Sequence, residues 1–415
     1  FKVLGDYARR EASSHNDNFS HIQPEGLPAV DSTYRDHTDN SFEIAALTLA
    51  LDKKFSPKWS LQTGAKYTRN HTCNNSLYQY LKEEEWVRND DQSLRVDYTE
   101  HIAAAYGVVT AKLGRWGVTA GLRGEYTRTD GRRNGVEQNY FSLFPNANVS
   151  YSLSSDGAYS LVAQYARTIR RPSFWNLMPN RSQISDYTYQ TGNPDLLPSY
   201  TSDVSVTAVL KHKYTLTAGI SIVDDEINQD MVPDAENPDV LGIVWLNYDR
   251  TSSYYLAASL PFQLTKWWTL NLNANYVYHG MRLSSHGAAQ YHHYLFANAQ
   301  TTFTLPGKVY LDLSYRYNNR LYLGSCWVDA MHFLSASIKK SFFGDRLTCS
   351  FSAYNLLNRA QTLGARGDDF VRHQQVRQNW SSIRFQVGVT YNFKAGKAFQ
   401  KKSVEAGAAE DRSRL

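Results

Sequence analysis

The residues best suited to chemistry are four histidines set among tyrosines: His279, His286, His292 and His293, with Tyr291 and Tyr294. Imidazole is the commonest metal ligand, and a tyrosine can ligate haem iron, so the set is the chain's best metal or haem candidate. Its spacing weakens that reading. Adjacent residues on a strand point to opposite sides, so His292 and His293 cannot face one ion together. Solvated loop histidines account for the set better, and neither a metal nor a cofactor is assigned.

A second cluster combines cations and an aromatic ring: Arg170, Arg171, Trp175, Asn176 and Arg181. Guanidinium groups and an indole can hold an anionic or sugar-bearing ligand by bidentate hydrogen bonds and stacking. Loop packing competes with this, because Pro172 and Pro194 set the path of the surrounding chain. Arg170, Arg171, Trp175, Asn176, Arg181, His286, His292 and His293 are thus the candidate ligand contacts, all in expected loops.

Catalysis has little support. The chain contains no Gly-x-Ser-x-Gly, no His-Glu-x-x-His and no phosphate-binding glycine loop, so an enzyme is not expected. Three widely separated cysteines suggest neither a disulfide framework nor a zinc site. The net charge of +5 is spread along the chain without a basic stripe, which argues against nucleic acid as a partner.

The elements that must position these residues are strands. With 29 Tyr, 18 Phe and 9 Trp, the composition suits β structure and the interfacial belts of membrane proteins. No run of about 18 apolar residues exists, so a transmembrane helix is excluded; a membrane barrel is not. The stretch Ile383–Phe393 shows the recurrent pattern: Ile383, Phe385, Val387, Val389, Tyr391 and Phe393 share one face, and Arg384, Gln386, Gly388, Thr390 and Asn392 the other. Similar alternation marks Ala45–Leu51, Trp59–Tyr67 and Trp116–Thr127, and the whole chain reads as about sixteen strands.

The connections decide between a barrel and a sandwich. Short turns such as Gly114–Arg115, Ser154–Gly157, Lys211–Lys213 and Pro306–Lys308 alternate with long polar loops at about 9–40, 70–95, 129–139, 170–199, 224–244, 279–293, 318–328 and 357–379. Outer-membrane barrels sort short periplasmic turns from long extracellular loops in this way. Trp59, Trp116, Trp267, Trp268, Trp380, Tyr391 and Phe393 fall near strand ends, as an interfacial girdle requires. The polar row of Gln62, Lys66, Arg123, Glu125, Asp312, Arg316, Arg384 and Gln386 is expected to line a wet lumen.

Two stretches carry a resemblance: Arg170-Arg171-Pro172-Ser173-Phe174, and Gly192-Asn193-Pro194-Asp195-Leu196-Leu197-Pro198 leading into Ser199-Tyr200. Together with Ala120–Thr127, Phe141–Pro145 and Ala353–Asn358, they resemble the barrel of TonB-dependent outer-membrane receptors and the related outer-membrane β-barrel family. The resemblance implies an all-β fold, a transmembrane antiparallel up-and-down barrel of about twenty-two strands around a plug. It also implies energised uptake of a bulky, scarce nutrient. Its implied partners are outer-membrane lipid, an N-terminal plug, TonB, a small ligand and the barrel-assembly machinery. That machinery would read the aromatic-ended terminal strand.

Residues 1–393 are expected to form the barrel's C-terminal part in the outer membrane. Residues 394–415 are expected to form a disordered periplasmic tail. Because the chain starts almost directly on a strand, a truncated receptor lacking its plug and first strands is expected. The alternatives are a complete passive, porin-like or structural barrel and, third, a soluble β-rich binding protein.

Overall fold

Alternation of apolar and polar side chains builds a single antiparallel wall. The computed structural model describes residues 1–22, 30–90, 92–131, 136–179, 181–185, 187–282, 289–324, 326–366, 371–376 and 382–393. Along them run β1 (Lys2–Ile22), β2 (Val30–Lys54), β3 (Trp59–Lys82), the short β4 (Glu85–Arg88), β5 (Leu94–Leu113), β6 (Trp116–Gly131), β7 (Val136–Ser152) and β8 (Tyr159–Arg170). A helical turn, α1 (Phe174–Leu177), and the short β9 (Ser182–Ser185) and β10 (Thr188–Thr191) follow.

Next come β11 (Ser199–Leu210), β12 (Tyr214–Pro233), β13 (Leu241–Gln263), β14 (Trp268–Arg282), β15 (Gln290–Leu305) and β16 (Val309–Asn318). The short β17 (Leu321–Leu323) and β18 (Cys326–Val328) precede β19 (Met331–Phe342) and β20 (Leu347–Tyr354). The short β21 (Gln361–Arg366) and β22 (Val371–Val376) lead to β23 (Arg384–Tyr391).

The wall runs β1–β2–β3–β5–β6–β7–β8–β11–β12–β13–β14–β15–β16–β19–β20–β23, each strand antiparallel to the next. That is an up-and-down meander of sixteen strands, as the alternation predicts. Among the described residues, β1 pairs only with β2 and β23 only with β20. β17, β18, β21 and β22 form a separate small sheet from two loops.

The outward face is apolar and open. Leu47, Leu49, Tyr67, Leu122, Tyr126, Val204, Ile220, Leu256, Phe385 and Val387 are all exposed on it. In water such a surface is a liability; in lipid it is the stable solution, with every wall strand paired and side chains dissolved in hydrocarbon. Two aromatic rows bound it. Trp59, Trp116, Trp267, Tyr391 and Phe393 are exposed near the short turns, and Trp116 packs on Tyr151 with ring centroids 4.5 Å apart.

Tyr67 and Tyr276 mark the opposite row, eight residues up from Trp59 and Trp268. At about 3.4 Å per residue and a tilt near 40°, the rows stand roughly 20 Å apart. That is within a few ångströms of the apolar band of an outer-membrane barrel, about 25 Å tall. Trp268 also donates its indole N–H to Thr301 Oγ1 at 2.7 Å, while Trp380 lies outside the described residues.

Several expected loop boundaries are corrected. β1 continues to Ile22 and β2 begins at Val30, so most of 9–40 is strand. β3 runs to Lys82, β12 to Pro233, and β13 starts at Leu241, inside segments expected as loops. Crossing the band takes about 9–11 residues, but β2 has 25, β3 24 and β13 23. The surplus rises above the membrane. There hydrocarbon no longer meets the outer face, and the sequence no longer alternates apolar with polar residues cleanly.

Candidate functional site at the mouth of the lumen

The inward face carries the residues with chemistry on them. On β2, β3, β5 and β6 it presents Asn40, Phe42, Asn70, Thr72, Asn74, Tyr98, Glu100, Glu125 and Thr127, all buried. Polar members pair across strands: Asn74 Nδ2 donates to Asn40 Oδ1 at 2.6 Å and Asn70 Nδ2 to Glu100 Oε2 at 2.9 Å. What buries them is the segment 171–198, which folds inward between β8 and β11. Leu177, Met178 and Leu196 from this segment pack with Phe42, Val96 and Tyr98 of one side of the wall and Ile227 of β12. Full burial of each such side chain is worth about 1.5–3 kcal/mol.

The two resemblance-bearing stretches are the locks of this segment. Arg171 is buried and donates to Glu125 Oε2 at 2.5 Å and to Thr127 Oγ1 at 3.1 Å. Arg123 binds the other oxygen of the same carboxylate. Glu100 also acts on Arg171 through space, so the buried guanidinium is held by two carboxylates. Arg170 donates to the Ile227 carbonyl.

At the other lock, Gly192 lies so close to the chain at Met178 that a Cβ would sit 2.3 Å from its carbonyl oxygen. Only glycine permits that approach. Asn193 donates to the Trp245 carbonyl at 3.0 Å, and its own Oδ1 accepts from the Asp195 N–H at 2.9 Å, an Asx-type turn. The turn drives Leu196 into the cluster, where Gln138 donates to its carbonyl at 2.6 Å.

Each candidate contact can now be placed. Ser173 caps α1, and the Asn176 carbonyl accepts from the Asn193 N–H at 2.7 Å. Arg181 lies over the Tyr189 ring, 3.6 Å from its centroid, and 3.4 Å from Asp234. The N–H groups of Glu236 and Asn237 and the nearby Tyr189 and Arg181 hold the Asp234 carboxyl below its ordinary value, with the Glu236 N–H contributing most. Trp175 tilts against Phe42 at 6.0 Å and stays half exposed.

His292 and His293 do point to opposite faces. His292 stacks on Tyr322 at 3.9 Å, whereas His293 Nδ1 meets the Tyr276 hydroxyl on the outer face. His286 lies outside the described residues. No group of three or more metal-ligating side chains that could hold an ion occurs among the described residues. The structure brings Arg170, Arg171, Trp175, Asn176 and Arg181 together in one luminal segment and leaves His292 and His293 apart from it.

Sequence reasoning did not single out the upper β12–β13 hairpin, which both loop systems use. Ile227, Trp245 and Asn247 occupy one of its faces, and Asn247 exchanges hydrogen bonds with Leu197 at 2.8 and 3.0 Å. Tyr248 and Asp230 occupy the other, with the hydroxyl donating to the carboxylate at 3.0 Å. Against them lies Gly324, in the left-handed region at φ +61°, where a Cβ would strike the Tyr248 hydroxyl. Burial and Asp230 together push the Tyr248 hydroxyl pKa well up.

An outward apolar band, two aromatic rows and a plugged polar interior define a transmembrane β-barrel of the outer membrane. Residues 1–391 match the Outer membrane protein beta-barrel family, and the chain belongs to that family. Among solved structures it is similar to the copper transporter OprC, with a TM-score of 0.65 and 16% identity over 94% of this chain and 62% of that one.

The ferric yersiniabactin uptake receptor FyuA from Yersinia pestis gives 0.60 and 13% over 93% and 58%. The ferric preacinetobactin receptor BauA from Acinetobacter baumannii gives 0.57 and 12% over 94% and 60%. At these identities the likeness is one of fold. The chain spans less than two thirds of the length of each. No curated protein sequence matches it.

Proposed function

We propose that this chain is the barrel portion of an energised uptake receptor for a bulky, scarce solute. The observation that carries the reading is the tie across the lumen. Segment 171–198 is locked to β5 and β6 on one side and to β12 and β13 on the other, beneath strands that rise well above the membrane. A freely conducting pore gains nothing from such an obstruction. A receptor gains a fixed floor on which a large ligand can rest.

Trp175 offers that floor an exposed ring, and the arginines around it shape the surface rather than supply free charge. The similar solved proteins are a copper transporter and receptors for ferric yersiniabactin and ferric preacinetobactin, which makes a metal ion or its chelate the first ligand class to try. An N-terminal plug and TonB complete the reading as partners, with the barrel-assembly machinery engaging the strand that ends at Phe393.

Uptake by cells expressing the full-length protein tests this. A panel of ferric siderophores, copper chelates, haem and cobalamin is offered with and without a protonophore. The expected result is accumulation of one class that stops when the proton-motive force collapses. Accumulation that continues at the same rate assigns passive diffusion and overturns the proposal.

A further inference from the structure

The outer face between β2 and β7 is not a uniform greasy band. Register aligns three rows across it. Nearest the membrane centre are Leu49, Ala65, Ala105, Gly124 and Leu143; next outward are Leu47, Tyr67, Ala103, Tyr126 and Phe141. Small residues in the middle and large ones at the sides leave a groove of about 540 Å³, walled by Leu47 and Tyr67 on one side and Tyr126 and Phe141 on the other.

The third row, one step further from the membrane centre, reads Ala45, Arg69, His101, Arg128 and Asn139. Three adjacent strands thus place two arginines and a histidine side by side at the outer lip of the groove. Both arginines are exposed, and neither forms an ion pair among the described residues. The Tyr67 hydroxyl lies 2.7 Å from His101 Nδ1. When the hydroxyl donates, the ring hydrogen sits on Nε2, a donor on the outer face. The acidic residues Glu43, Asp130 and Glu137 stand one row further out.

We infer that this is a binding site for a phosphorylated lipid with several acyl chains, seated in the outer leaflet. The chains fill the alanine-floored groove, and a phosphate bridges Arg69, His101 and Arg128. A groove of acyl dimensions and, at its headgroup end, two arginines with no ion pair among the described residues meet at one place. The opposite side of the barrel supplies the contrast. A groove of about 410 Å³ between Val204, Val206, Ala218, Tyr254, Tyr276 and Tyr278 has Ser202, Ile222, Ser252, Gly280 and Tyr291 beyond its His293-bearing row, and the row's one arginine, Arg167 on β8, rests over the Tyr200 ring. It has the shape without two arginines set across adjacent strands at its lip.

The test uses full-length protein in phosphatidylcholine nanodiscs titrated with diphosphoryl lipid A, dephosphorylated lipid A or inorganic phosphate. Bound lipid is counted by native mass spectrometry, and heat-dependent gel mobility checks that each variant's wall is intact. Replacing both arginines (R69Q/R128Q) is expected to weaken diphosphoryl lipid A retention about tenfold or more and leave the dephosphorylated form unchanged. Ala103→Trp, which fills the groove, lowers retention of both, while Val206→Trp in the opposite groove lowers neither. Equal retention by R69Q/R128Q and the unaltered protein overturns the inference. Loss of retention in V206W does the same. Displacement of lipid A by inorganic phosphate alone assigns the row to a free anion and also overturns it.

Discussion

The two ends of the wall treat the same kind of inner face in opposite ways. On β3, β5 and β6 the upper inward polar residues Asn70, Thr72, Glu100, Glu125 and Thr127 are buried at the level of segment 171–198. On β16 and β23, Arg316, Arg384 and Gln386 stay exposed, with Arg316 and Arg384 resting over the rings of Phe333 and Tyr354. Strand pattern therefore does not decide whether a lumen-facing charge is structural. What docks on it does. A buried charge must find a partner, and Arg171 supplies one; an exposed charge already has water.

Breaking the buried side should cost far more than breaking the open one. Arg171→Met leaves Glu125 with Arg123 alone and is expected to destabilise the fold by about 3–5 kcal/mol, seen as a lower denaturant midpoint in detergent. Leu196→Ala removes a fully buried side chain and should cost about 2–5 kcal/mol, with faster protease cleavage between 171 and 198. Asn193→Ala strands the Trp245 carbonyl and should cost about 1–3 kcal/mol in the same assays.

Acid supplies a milder break. Asp234 has a depressed pKa, so the stability it contributes is present above the ordinary aspartate value and is lost as pH falls through its folded value. Amide protection at Glu236 and Asn237 should therefore drop below about pH 4 and be intact at pH 6. The smallest effect belongs to the open side. Arg316→Gln and Arg384→Gln should each shift stability by less than about 0.5 kcal/mol. A larger shift at either would show that something packs on that face as well.

The sequence made the lipid-facing half of each strand legible, because hydrocarbon enforces a strict apolar alternation there. Leu47, Leu49, Trp59, Trp116 and the outward residues of β23 all stand where that alternation puts them. Above the membrane the enforcement ends, and β1, β2 and β12 read as loops for many residues that are strand. The tie across the lumen was only half visible. The Gly192–Pro198 stretch signals a turn, but Met178 and Leu196 are solitary apolar residues whose partners lie on strands far away in sequence. The row of Arg69, His101 and Arg128 was hidden for a different reason: its members meet only through register, which no single segment contains.

The upper β12–β13 hairpin bears on two neighbours at once. One face holds Ile227, Trp245 and Asn247 against the luminal segment, and the other holds Asp230 and Tyr248 against Gly324. Neither loop system can shift without disturbing that common abutment. The hairpin is the keystone of the vestibule, a two-stranded partition with the luminal segment on one face and the Gly324 turn on the other.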